Sequence, residues 1–160
     1  MENRSKVFDQ QLHDENDSPA REVVKRLYSY IGYQLIDNPN KYGVDLIDNE
    51  SGLCVEVERR LVWEDGQFPF DTVNFLSRKK KFFEDNKYYF SDYAIVSKSM
   101  TRVGIIDKDS LMHFVNTTKV EENPNRYVNE GELFYKIPRS AFTFFDISLE
   151  LPESVKKTEA

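Results

Sequence analysis

The sequence has a single cysteine, Cys54, in 160 residues. A lone thiol excludes an internal disulfide framework and a cysteine-based zinc site. Histidine is nearly missing as well: His13 and His113 stand 100 positions apart, with no zinc-ligand spacing. Together these point to a reducing, cytoplasmic compartment. No stretch approaches the roughly 18 apolar residues of a membrane-spanning helix, so no membrane partner is expected. The opening MENRSKVFDQQLHDEND has no apolar run of the kind a secretory signal carries. Six glycines and six prolines are too few for a collagen-like or proline-rich chain. Phosphate-cradling glycine loops are absent, so NTP hydrolysis and dinucleotide chemistry find no support. Excess positive charge is absent too, with 22 Lys and Arg against 28 Asp and Glu and a net charge of −6. A passive binder of nucleic acid is usually basic. Contact with nucleic acid therefore requires locally clustered cations, and frees the acids for another purpose such as binding a metal.

Apolar mass is present. Hydrophobic residues make up 39% and aromatics 14% of the chain, with 12 Phe and 9 Tyr. That excludes a wholly disordered chain and suffices for one core. The length suits one domain. Residues 1–17 read as a mobile arm, 18–150 as the domain and 151–160 as a tail.

The expected elements follow from pattern. Ser18 suits an N-cap and Pro19 the first helical position. Ala20, Val23, Val24, Leu27, Tyr28 and Ile31 recur at helical spacing up to Gly32. Strands are expected at Tyr33 to Ile36, Val44 to Asp48 and Leu53 to Glu58, the last two joined by the turn Asn49-Glu50-Ser51-Gly52. A helix is expected from Thr72 to Asp85, with strands at Asp92 to Val96 and Arg102 to Ile106 and a short helix at Ser110 to Val115. A polar stretch around Asn123-Pro124-Asn125 precedes a last strand pair, Leu133 to Ile137 and Thr143 to Ile147. The order α-β-β-β-α-β-β is mixed α/β, a central sheet flanked by helices.

One constellation carries chemistry. Leu53, Val55 and Val57 alternate with Cys54, Glu56 and Glu58, so the two glutamates share a strand face about 6.5–7 Å apart. The hairpin brings Asp45 alongside. Three carboxylates there suit a hard divalent cation, which polarises phosphate oxygens and activates water. The plainer reading is an ordinary half-exposed strand.

The run SPAREVVKRLYSYIGYQLIDNPNKYGVDLIDNESGLCVEVERR resembles the PD-(D/E)XK nuclease superfamily, nearest to archaeal Holliday-junction resolvases and restriction-type endonucleases. Close over residues 18–60 and looser beyond, the resemblance implies a restriction-endonuclease-like core and Mg²⁺- or Mn²⁺-dependent cutting of nucleic acid, DNA before RNA. It implies Asp45 and Glu56 as metal ligands, joined by the Val57 carbonyl. The usual lysine two positions after the glutamate is replaced by Glu58, which then serves as a ligand or orients the attacking water. Relatives with an acid on the first helix hold it where Ala20 stands; Glu22 faces away, and Asp17 is the substitute from the inward side. Two-strand cutting by such nucleases often uses a homodimer.

The missing cation has two candidates. In TVNFLSRKKKFFED, read as a helix, Lys79 and Lys80 fall on the apolar face, where a lysine must snorkel or find a carboxylate. Either could reach the acids and stabilise the phosphate. Arg78 and Lys81 point outward and, with Arg59 and Arg60, form a candidate phosphate-contact patch. The alternative is a solvated basic face. The aromatic loop of Trp63, Phe68 and Phe70 is either a minor core or a base-stacking surface. His113 reads as structural, and Cys54 lacks a histidine to activate it.

Two further readings stand beside the nuclease. One is a non-catalytic nucleic-acid-binding or assembly module on the same fold. The other is a protein-interaction or accessory protein, of phage or prokaryotic type.

Overall fold

Helix α1 spans Gln10–Tyr30, starting before Ser18 and enclosing Pro19. The expected start at Ser18 is therefore corrected, and part of the expected arm is helical. A proline inside a helix removes one backbone bond; the buried stripe of Ala20, Val24, Leu27 and Tyr28 anchors the turns that follow it. The computed structural model describes residues 10–40, 43–84, 90–122, 132–147 and 156–158, giving backbone alone for 10–17, 90, 122 and 156–158. The expected polar stretch around Asn123-Pro124-Asn125 and the side chain of Asp17 lie outside the described residues.

Gly32, at φ 97°, ends α1 in the left-handed conformation that a side chain resists. Three strands follow as an antiparallel meander: the short β1 (Ile36–Asp37) and β2 (Leu46–Ile47) and the longer β3 (Leu53–Arg60). The β2–β3 turn is organised by Asp48, only 4% exposed. Its Oδ1 accepts the amides of Glu50 at 2.9 Å and Ser51 at 3.3 Å, and its Oδ2 accepts that of Gln34 at 3.0 Å.

The expected helix over 72–85 is not formed. Thr72–Leu76 is strand β4, Ser77–Lys80 a 3-10 turn, and Lys81–Glu84 the single-turn helix α2. Val73 and Phe75 are buried on one face while Thr72 and Asn74 are half-buried, the period of a strand. The remainder is β5 (Phe90–Ser97), β6 (Arg102–Asp107), α3 (Lys108–Thr117), β7 (Glu121–Glu122), β8 (Leu133–Pro138), β9 (Thr143–Asp146) and β10 (Lys156–Thr158). Asp107 caps α3 by accepting the Ser110 amide. β10 places part of the expected tail on a sheet edge.

The central sheet has the order β1-β2-β3-β5-β6-β9-β10, and a smaller one has the order β4-β8-β7. β3 and β5 are parallel; the other pairs are antiparallel. The fold is mixed α/β with helices flanking a central sheet. The expected last strand pair is split: β8 joins β4, whereas β9 joins β6. Gly104 on β6 admits the Phe144 ring, whose Cε1 would lie 2.7 Å from an added Cβ.

Two apolar clusters lie on opposite faces of the central sheet. One packs α1 against Leu53, Val55, Val57, Ala94 and Val96. The other gathers Trp63, Phe75, Phe83, Tyr93, Ile95, Leu111 and Phe144 among the small sheet, α2 and α3. Among the described residues no helix is long and apolar enough to cross a membrane.

Candidate functional site

β2 pairs with β3 only at Leu46↔Val55 and Ile47↔Cys54. Beyond Leu46 the two segments part, and side chains take over the exposed backbone groups. Asp45 Oδ2 accepts the Val57 amide at 2.9 Å, and Glu56 Oε1 accepts the Asp45 amide at 3.3 Å. These reciprocal bonds hold both carboxylates at the fork. The Val57 side chain is buried under α1. In a strand a residue's N–H and C=O leave by the same edge, so the Val57 carbonyl also points to the fork.

Glu56 and Glu58 share the face opposite α1. The 3-10 turn after β4 delivers Lys79 onto them: its Nζ is 3.1 Å from Glu56 Oε2 and 3.2 Å from Glu58 Oε2. Glu58 also meets Arg60, with Nε 2.6 Å from Oε1, close but not aligned as a hydrogen bond. Arg60 Nη2 donates to the Tyr93 hydroxyl at 2.8 Å and to the Asn74 carbonyl. A row of alternating charge, Glu56–Lys79–Glu58–Arg60, thus runs along one face of β3.

The environment sorts the two glutamates. Burial pushes Glu56 up to about 7; Lys79 opposes that shift, and the Asp45 and Glu58 carboxylates add to it. For Glu58 burial acts in the same direction, but Arg60 and then Lys79 outweigh it and hold the carboxyl below its ordinary range. Burial disfavours the Lys79 ammonium, yet Glu56 and Glu58 raise it well above the usual lysine value. Lys79 therefore stays charged at neutral pH.

The expected convergence of three carboxylates is corrected. Among the described residues no group of three or more His, Cys, Asp and Glu side chains is disposed to hold a metal. Glu58 is drawn to Arg60 and Lys79 instead. What remains at the fork is Asp45, Glu56 and the Val57 carbonyl, all hard oxygen donors. Magnesium is commonly held by one or two carboxylates together with waters and substrate phosphates, so this donor set fits such an ion. Burial is the main cause that raises Glu56, with the Asp45 and Glu58 carboxylates adding to it; a divalent cation at the fork would favour the charged form.

The other expected site residues are placed as follows. Lys80 is not brought to the acids; its Nζ lies 3.6 Å from Glu84 in a half-exposed pair. Arg78 pairs with Glu132 at 3.4 Å, and Lys81 lies over its neighbour Phe82. Arg59 donates to the Lys98 carbonyl on the α1 side of β3, whereas Arg60 turns inward among the acids. Arg59, Arg60, Arg78 and Lys81 therefore do not form one patch, because neighbours on a strand face opposite ways. Glu22 is engaged with Lys25 on the outer face of α1. His113 is exposed beside Phe114. Trp63 and Phe68 are buried as core, while Phe70 is 51% exposed. Tyr93 had no signal in the sequence beyond its place in a strand.

No protein-family model matches the chain, and no curated protein matches it. Among solved structures it is similar to Hjc, a Holliday junction resolvase of Archaeoglobus fulgidus, an archaeal hyperthermophile. The identity is 13% and the TM-score 0.45, over 79% of this chain and 86% of that one. The functional reading rests on this chain's own side chains.

Proposed function

We propose that this chain is a metal-dependent nuclease that hydrolyses phosphodiester bonds in nucleic acid, DNA in preference to RNA. The observation that carries the reading is the meeting of Lys79 with Glu56, beside Asp45, where β2 leaves β3. The Gly-Val-Asp and Val-Glu-Val-Glu runs, on which the resemblance to the nuclease superfamily rests, supply Asp45 and Glu56 in the same order, with Glu58 where the superfamily usually has lysine.

Asp45 and Glu56 would hold Mg²⁺ or Mn²⁺ with the Val57 carbonyl. A bound ion of this kind polarises a phosphate oxygen and makes water a stronger nucleophile. Lys79 supplies fixed positive charge against the phosphate as negative charge builds on it. Glu58 keeps Lys79 charged and in place, and Arg60 with Tyr93 fixes Glu58. The cation absent two positions after Glu56 is thereby provided by a different segment.

The second reading, a binding module without chemistry, is favoured by one observation: each acid already has an internal partner. Incubation of supercoiled DNA with Mn²⁺ separates the two. The nuclease reading expects nicking that chelator stops and that Glu56→Ala reduces to background with the fold intact. Nicking that survives Glu56→Ala contradicts it, and binding without nicking favours the module.

A further inference from the structure

A cavity of about 330 Å³ adjoins the charged row, with Arg60, Phe68, Phe70, Asn74 and Lys136 among its walls. Its volume is at the small end of ligand pockets. No carboxylate lines it, although acids outnumber bases in the chain. Arg60 is already matched by Glu58. Lys136 is not matched: its Nζ donates to the neutral Asn74 Oδ1 at 3.3 Å, and among the described residues no carboxylate lies within ion-pair distance. Phe70 is held edge-on against Phe68, with ring centroids 5.9 Å apart, yet remains 51% exposed. An uncovered aromatic ring, an unmatched ammonium and an amide in one small cavity suit a planar base with a phosphate attached.

We infer that this cavity receives one unpaired nucleotide of a nucleic-acid strand, its base against Phe70 and its phosphate on Lys136. A base inside a duplex is stacked on both faces and does not enter such a cavity, whereas an unstacked base does. The inference rests on the nuclease reading for its substrate class. Arg60 lines the cavity and also closes the charged row, so a strand seated there runs toward Lys79.

The test is binding of a single-stranded oligonucleotide carrying one 2-aminopurine, in chelator, compared with the same strand in a duplex. The single strand is expected to bind at least fivefold more tightly, with a change in 2-aminopurine fluorescence. Phe70→Ala should remove that change and weaken binding at least fivefold, in the range for loss of one stacked base. Lys136→Gln should lower the slope of log affinity against log salt by about 0.7, the value for one phosphate contact on a single strand. Equal binding of duplex and single strand, or variants that bind like the parent, overturns the inference. Cutting in Mn²⁺ is scored separately. Cutting with Phe70-independent binding removes the cavity's role and leaves the nuclease reading. Phe70-dependent binding without cutting does the reverse.

Discussion

The two faces of β3 are built from alternate residues of one segment, yet differ completely. Toward α1, Leu53, Val55 and Val57 are at most 1% exposed in a sealed apolar layer. Toward the small sheet, Glu56, Glu58 and Arg60 line up with Lys79 between them. The first face is what any stable sheet needs. The second is a poor way to make a stable core, since desolvating each ion costs several kcal/mol and pairing returns only part of that. On the proposed nuclease reading, a chain that keeps such a row on β3, next to a frayed ladder, gives up stability for chemistry. The comparison teaches where to look for function: on the face where the cheaper apolar solution was not taken.

Substitutions can break or sharpen this contrast. The largest effect is expected from Lys79→Ala, which should slow cutting about 10²–10³-fold, the usual loss when one transition-state contact is removed. A single-turnover nicking assay reads it, with circular dichroism confirming the fold. On the opposite face, Leu53→Ala should lower stability by about 2–5 kcal/mol in urea unfolding, the range for truncating a buried leucine. Its folded fraction should still cut.

Glu56→Gln sharpens the comparison through pH. The folded Glu56 carboxyl titrates at about 7, above the ordinary 4.5. The folded state thus binds its proton more tightly than the unfolded state. Its contribution is fully present below about pH 4.5 and is lost as pH rises through 7. In chelator, the thermal midpoint of Glu56→Gln should exceed the parent's at pH 8 and approach it at pH 5. A parent that gains stability relative to the variant between those pH values contradicts the assignment. The smallest effect belongs to Lys80→Ala: its pair with Glu84 is half exposed, so stability should change by under about 0.5 kcal/mol and cutting should persist.

Local signals were legible in the sequence and long-range ones were not. The strict alternation in Leu53 to Glu58 and the Asn49–Gly52 turn announce β3 and its hairpin, because both are written in adjacent residues. The stripe of α1 is equally plain downstream of Pro19. By contrast, Thr72 to Leu76 fits a helix by spacing and becomes a strand only because it pairs with β8, about sixty positions later. Lys79 reaches the acids even so, since a 3-10 turn after β4 points it the same way. Arg60 reads as a surface cation beside Arg59, but strand geometry sends the two to opposite faces. Tyr93 and Lys136 carry no motif at all; their roles arise from β5 lying parallel to β3 and β8 antiparallel to β4.

On the proposed reading, Asp45 and Glu56, at the β2–β3 fork, bind a divalent ion. Titration of the protein with Mn²⁺, followed by the loss of the free-ion electron paramagnetic resonance signal, tests it most directly. The parent is expected to take up Mn²⁺ at this fork, while Asp45→Asn and Glu56→Gln, still folded, bind it at least tenfold more weakly. A parent that leaves the signal unchanged, or variants that match its uptake, would contradict it.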